Sequence, residues 1–233
     1  MSLPRAAMVF AAGFGTRMGA LTADRPKPLL EIGGCTLLDR ALDQIAAAGV
    51  AEAVVNTHYH AGLVEAALSG RRAPAIRISH EPEILETGGG LLAARPLLPP
   101  APVMTVNPDV AWGDPAAAVA ALAQGWDPAR HDACLLVVRR VETRCHPGAG
   151  DFDLTEGGPV RRGDRPSAEY VYAGMQVIDP AVLDGLAPGK FSLNVVWNRL
   201  LAAGRLGLAV APGPWVDVGT PEGLAAADAL VRG

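Results

Sequence analysis

The residues best suited to chemistry in this 233-residue chain crowd into one stretch, Ala11–Leu30, AAGFGTRMGALTADRPKPLL. Gly13, Gly15 and Gly19 let backbone N–H groups approach an oxyanion with no Cβ in the way. Successive N–H groups in such a turn form an anion-binding concavity. Arg17 adds a planar fork that matches phosphate oxygens, and Lys27 adds a compact point charge. Pro26 and Pro28 restrict the backbone on either side of Lys27, so less freedom is lost when it is presented. This loop follows an apolar run, Ala6–Phe10, and suits the phosphates of a nucleoside triphosphate. Two acids are the candidates for the opposite wall. Asp109, in Asn107-Pro108-Asp109, follows an apolar run at the position where open α/β sheets bind ligands. It reads either as a ligand for Mg²⁺, which favours hard oxygens and substrate phosphates, or as an Asx-type turn. Asp217 lies between valines in WVDVG, where a charge is costly unless paired or bound to metal. Its alternative is an outward position on an edge strand.

Other chemistries fit less well. Gly13, Gly15 and Gly19 also satisfy a GxGxxxG dinucleotide spacing, which is weak evidence alone. In that motif the helix opens at once onto the pyrophosphate, whereas here two prolines keep the chain irregular until about Thr36. The second strand of that motif ends in an acid, and here it ends Asn56-Thr57-His58. A purely structural glycine turn leaves Arg17 and the Pro-Lys-Pro unit unexplained. The five histidines show no metal-ligand pairing beyond His58-x-His60, and there is no nucleophile elbow. Net charge is −4 with scattered basic residues, which argues against a nucleic-acid surface. No apolar run reaches membrane-spanning length and no signal peptide is evident. Cys35, Cys134 and Cys145 are odd in number and form no CxxC, as expected of reduced thiols in the cytoplasm.

The elements that must position these groups alternate between strand and helix patterns, predicting an α/β fold with a mostly parallel mixed sheet flanked by helices. Strands are expected at Ala6–Phe10, Ala53–Asn56, Ala75–Ser79, Val103–Val106, Ala133–Arg139, Tyr170–Ile178, Leu206–Val210 and Trp215–Gly219. Apolar residues at helical spacing from Leu37 to Ile45 predict a helix. Others are expected over Gly62–Leu68, from Asp114-Pro115 through Gln124, over Ser192–Ala203, and from Thr220-Pro221 to Val231. Glu86-Thr87-Gly88-Gly89-Gly90 reads as a second glycine-rich turn before a short helix over Leu91–Ala94. The segment 142–168, rich in glycine, proline and charge, is expected to leave the sheet, with a hairpin near Phe152–Val160, and to cover a ligand. One Rossmann-like domain spanning 1–233 is expected, since nothing resembles a linker.

Together, AAGFGTRM, RPKPLLEIGG, ETGGG at 86–90, NPDV at 107–110 and WVDVGTPE at 215–222 resemble the sugar-1-phosphate nucleotidyltransferase family. Within it the pattern is most similar to the short uridylyltransferases that act on N-acetylmuramate 1-phosphate in cell-wall recycling. They share the ETGGG unit and a Gly-Asp-Phe segment like Gly150-Asp151-Phe152. The resemblance implies that Ala11, Ala12 and Gly13 meet base and ribose, and that Gly15, Thr16 and Arg17 hold the β- and γ-phosphates. It implies that Lys27 contacts the α-phosphate, that Glu81 and Gly88 read the pyrimidine, that Asp109 and Asp217 bind Mg²⁺, and that Asp151 and Gly174 lie near the sugar. The partners implied are an NTP, UTP favoured, and a sugar 1-phosphate, with no nucleic acid or membrane, in a monomer or small homo-oligomer. Transfer of guanylyl to mannose 1-phosphate or thymidylyl to glucose 1-phosphate is the alternative, and a non-catalytic nucleotide-sugar-binding protein a further one. The family's Asn-Gly-Asp is here Asn-Pro-Asp. The Pro108 ring fixes φ and removes a donor beside Asp109.

Overall fold

The computed structural model describes residues 3–233. In chain order the strands are β1 (Ala6–Phe10), β2 (Glu31–Ile32), β3 (Cys35–Thr36), β4 (Glu52–Thr57), β5 (Ala75–His80), β6 (Val103–Val106) and β7 (Val110–Trp112). They continue with β8 (Ala133–Arg139), β9 (Thr143–Arg144), β10 (Phe152–Thr155), β11 (Gly158–Arg161), β12 (Tyr170–Ile178), β13 (Leu206–Val210) and β14 (Trp215–Asp217). The α-helices are α1 (Leu37–Ala47), α2 (Ala61–Leu68), α3 (Glu86–Ala94), α4 (Pro115–Gly125), α5 (Asn194–Ala202) and α6 (Pro221–Arg232).

The main sheet runs β11-β10-β12-β6-β1-β4-β5, with β8 on β12 and β13 on β8. Its β6-β1-β4-β5 part is wholly parallel, with Val9 opposite both Val55 and Val106. Side chains of β1 and β4 are buried on both faces, which is why these strands read as continuous apolar runs. β12 is antiparallel to both β6 and β8. The sheet is therefore mixed, parallel where the cleft lies and antiparallel around β12. β12 pairs with β6 only from Met175 to Ile178, so its Tyr170–Gly174 half projects past the carboxyl end of β6.

Short polar residues start the helices where the spacing predicts. Thr36 caps α1 by accepting from Asp39 N, while Leu37, Leu38, Ala41, Leu42 and Ile45 are buried on one face. Asp114 caps α4 and Thr220 caps α6, each ahead of a proline at the first helical position. Apolar clusters fill both faces of the sheet. A third cluster, with Met18, Leu30, Ile32, Leu37, Val216, Val218 and Ala227, joins the early loop to the last strand and helix.

Three expectations are corrected. ETGGG is no turn: α3 begins at Glu86 and its glycines lie inside the helix. They are there because neighbours leave no room for a side chain. A Cβ on Gly88 would sit 2.4 Å from the Phe191 ring, one on Gly89 would sit 2.1 Å from the Gly189 carbonyl oxygen, and one on Gly90 would sit 2.7 Å from Glu81 Oε1. Residues 110–112, unassigned from sequence, form β7, which pairs with β14 and so draws Asp217 out of the main sheet into a second one, β7-β14-β9. The 152–160 hairpin forms, as β10 and β11, but it extends the main sheet at the β12 edge instead of leaving it.

Candidate active site

The glycine loop leaves β1 at its carboxyl end and is held from below. Asn56, the penultimate residue of β4, accepts from Ala11 N through its Oδ1 at 2.6 Å and donates from Nδ2 to Glu81 Oε1 at 2.6 Å. Glu81 Oε2 in turn accepts from Leu85 N at 3.1 Å. Glu81 is only 1% exposed, so its carboxylate spends both oxygens inside the protein. It braces the start of the loop through these bonds, and it also lines the cleft described below. Gly88 is buried within α3, and its N–H donates to the Phe191 carbonyl at 2.9 Å.

Further along, Gly15 has φ 65°, and a Cβ there would lie 2.8 Å from Lys27 Cβ. Glycine at this position lets the loop close over the lysine. The Tyr59 hydroxyl donates to the Thr22 carbonyl at 2.9 Å, and the Thr22 hydroxyl donates back to Gly15 O at 3.2 Å, so the far side of the loop is tied down too. Arg17 lies against Gly219, where a Cβ would come 2.8 Å from its Nη1.

Lys27 is almost buried, and its Nζ donates to Asp109 Oδ2 at 2.6 Å. Asp109 holds position in spite of Pro108. Asn107 N donates to Gly174 O at 2.7 Å, and Val218 N donates to Asp109 O at 3.0 Å, so bonds on either side of the proline replace the missing donor. Through the β7–β14 pairing Asp217 lies opposite Val110, one residue from Asp109. Its Oδ2 is 3.2 Å from His146 Nδ1, and His146 packs edge-on against Trp215. Of the alternatives open for these acids, the Asx turn and the outward edge position, neither describes the side-chain contacts found. His146, carried by the 142–168 segment, had no sequence signal beyond being a histidine in that segment.

Two clefts open along this wall. Gly13, Gly15, Thr16, Arg17, Lys27, Pro108, Asp109 and Gly219 line one of about 220 Å³. Ala12, Gly13, Asn56, Glu81, Ile84, Glu86, Thr87, Asn107 and Asp109 line the other, of about 200 Å³. Phe10, Gly13 and Asp109 belong to both, so the clefts adjoin. One end is rich in amides and cations and the other in groups able to bond a heterocycle or hydroxyls. Beside them, Gly174 (φ 85°) turns β12 against Asn107, and Asp151 Oδ2 accepts from Tyr172 N at 2.8 Å. Burial pushes the Tyr172 phenol above its ordinary pKa, and the Asp109 charge acts in the same direction, so it remains neutral.

Among the described residues no group of three or more His, Cys, Asp or Glu side chains could hold a metal ion. Asp109 and Asp217 carry the hard carboxylate oxygens that Mg²⁺ favours, on neighbouring positions of the β7–β14 pairing.

Residues 7–156 match the MobA-like NTP transferase domain, and the chain belongs to this family of nucleotidyltransferases. It is 46% identical to N-acetylmuramate alpha-1-phosphate uridylyltransferase of Caulobacter vibrioides, over 97% of this chain and 96% of that protein. It is 33% identical to the protein of the same name from Neisseria meningitidis serogroup B, over 96% and 97%. In fold it is similar to the inositol-1-phosphate CTP transferase from T. maritima, with a TM-score of 0.79 at 20% identity over 100% of this chain and 96% of that one.

Proposed function

We propose that the chain transfers a uridylyl group from UTP to N-acetylmuramate 1-phosphate, giving the UDP-sugar and pyrophosphate. The observation that carries this is the Lys27–Asp109 pair at the junction of the two clefts, where an α-phosphate would lie with the glycine loop on one side and the nucleoside end on the other. Gly13 supports it. Its φ is ordinary and a Cβ there would meet no protein atom within 4 Å, so the fold alone does not call for glycine. An approaching ligand does.

Amides of the Gly13–Thr16 turn and the Arg17 guanidinium would hold the β- and γ-phosphates. Lys27 would bind the α-phosphate and the incoming phosphate together, aligned by Asp109. A phosphate monoester has its second pKa near 6, so the sugar phosphate is mostly dianionic at neutral pH and needs no side-chain base. One of its oxygens attacks the α-phosphorus, the bond to the bridging oxygen breaks, and pyrophosphate leaves with the electron pair. The protein's share is alignment and charge neutralisation. Asp109 and Asp217 would hold Mg²⁺, which supplies further neutralisation across the phosphates. Asp151 and Gly174 would border the sugar. Backbone of Ala11–Gly13, the Ile84–Thr87 wall, and Glu81 and Gly88 beside it would meet the nucleoside. Charged cellular substrates of this kind fit a cytoplasmic protein, monomeric or a small homo-oligomer, in peptidoglycan recycling.

The test crosses UTP, CTP, GTP and dTTP with N-acetylmuramate, N-acetylglucosamine, mannose and glucose 1-phosphates, scored by pyrophosphate release with Mg²⁺. UTP with N-acetylmuramate 1-phosphate is expected to give the highest kcat/KM. A higher value for GTP with mannose 1-phosphate, or for dTTP with glucose 1-phosphate, overturns the substrate assignment, and no release from any pair overturns the reaction.

A further inference from the structure

Glu86 stands apart from the other carboxylates of the cleft. Asp109 is bonded to Lys27, and Glu81 is bonded to Asn56 and Leu85. Glu86 lines the same cleft, yet its charge meets only Lys190, at 3.6 Å, with both side chains substantially exposed. An exposed pair of this kind contributes little to stability. The backbone of Glu86 is also unusual. Its φ is 60°, one of three positive values among non-glycine residues of the described chain. Outside glycine this conformation is uncommon and costs free energy, and it gathers at functional sites. Glycine would adopt it cheaply, and Gly88, Gly89 and Gly90 follow two residues later. The position therefore carries a carboxylate at the expense of the local backbone. Favourable interaction with the α3 N-terminus is a modest effect that an acid elsewhere in the first turn would supply equally.

We propose that Glu86 is a specificity-determining residue whose carboxylate accepts a hydrogen bond from an N–H or O–H donor of the bound nucleoside. The inference rests on the nucleotidyl-transfer reading above. Uracil offers a ring N–H at the position where cytosine offers a bare acceptor nitrogen, and ribose offers two hydroxyls. A carboxylate rewards the donors and repels the acceptor. Of the three carboxylates that line this cleft, Glu86 is the one with no hydrogen bond to the protein among the described residues.

Steady-state kinetics of Glu86→Gly and Glu86→Gln decide it, with UTP, CTP and 2′-deoxy-UTP as nucleotides and thermal unfolding run in parallel. Hydrogen bonds to charged groups contribute about 1.5–3 kcal/mol, so the KM for UTP should rise roughly tenfold or more in Glu86→Gly. kcat and the KM for the sugar phosphate should stay near wild type, and Glu86→Gln should fall between. Tm should not fall in Glu86→Gly, because the strained backbone is relieved as the function is lost. A residue that served only the fold would show the opposite pair of changes. If the donor is the ring N–H, wild type rejects CTP and Glu86→Gly loses that preference. If it is a ribose hydroxyl, 2′-deoxy-UTP is the poor substrate and the variant ceases to distinguish it. An unchanged UTP KM in both variants, or a change confined to the sugar phosphate, overturns the proposal and leaves the reaction standing. A wild-type protein that releases no pyrophosphate overturns the reading beneath it.

Discussion

The phosphate end of the cleft holds two cations and the 142–168 segment four arginines, and they use them in opposite ways. At the phosphate end Lys27 is nearly buried beside Asp109, and Arg17 lies against a glycine with no carboxylate partner within 4 Å among the described residues. In the hairpin region the cations hold the chain itself together. Arg162 donates to the Gly150 and Arg165 carbonyls, and Arg165 donates to the Arg162 and Arg161 carbonyls and to Asp153. Arg161 lies over the Phe152 ring at 4.4 Å and donates to Asn194 and Asn198. Cations left with spare donors in a cleft are fitted to meet a ligand. Cations that bond backbone carbonyls are fitted to shape a loop. Under the proposed reaction, catalysis falls to the first region and the second sets the contour of the sugar's surroundings.

The contrast is broken most sharply at Lys27. Lys27→Ala is expected to lower kcat by about 10²–10³, the effect of removing one preorganised charge donor, while far-UV circular dichroism and Tm stay close to wild type. A turnover within a few-fold of normal would leave the phosphate end without its distinguishing role. Asp217→Asn should come next. It preserves shape and removes charge, so the Mg²⁺ concentration for half-maximal activity should rise by roughly tenfold, a loss of about 1.4 kcal/mol, with the UTP KM at saturating Mg²⁺ little altered. An unmoved Mg²⁺ titration would count against the metal assignment. The smallest effect is expected at Arg165→Ala, whose ion pair with Asp153 is exposed enough to contribute no more than about 1 kcal/mol. There the KM for the sugar phosphate should change while that for UTP does not. If both move together, the two regions do not divide the labour as described.

The same contrast explains what could be read from sequence. The parallel half of the sheet announces itself because strands buried on both faces must be continuously apolar, and helix starts announce themselves through Thr36, Asp114 and Thr220. Lys27 and Arg17 stand out because the residue types around them make little sense as mere structure, and Asp109 by its place just after an apolar run. The internal contacts of Glu81 and Gly88 follow a different logic. Their roles depend on who occupies the neighbouring space, Asn56 in one case and Phe191 in the other, and those partners lie 25 and 103 positions away in the chain. The triplet of glycines looked like a loop because glycine disfavours helix. Contact with residues 189–191 overrides that propensity, and no local window contains the information. β7 is three residues long and forms only because β14 returns to pair with it.

One consequence concerns the order in which the protein is made. Arg17 is backed by Gly219, Asp109 is flanked by the strand that bears Asp217, and Gly33 N donates to Asp228 across 195 positions. A nascent chain that has threaded out its nucleotide loop still lacks the groups that close the cleft. Enzymatic competence should therefore arrive abruptly and late in translation, when the β14–α6 segment clears the ribosome and docks. A truncation ahead of Trp215 would be inert even with every glycine of the loop in place.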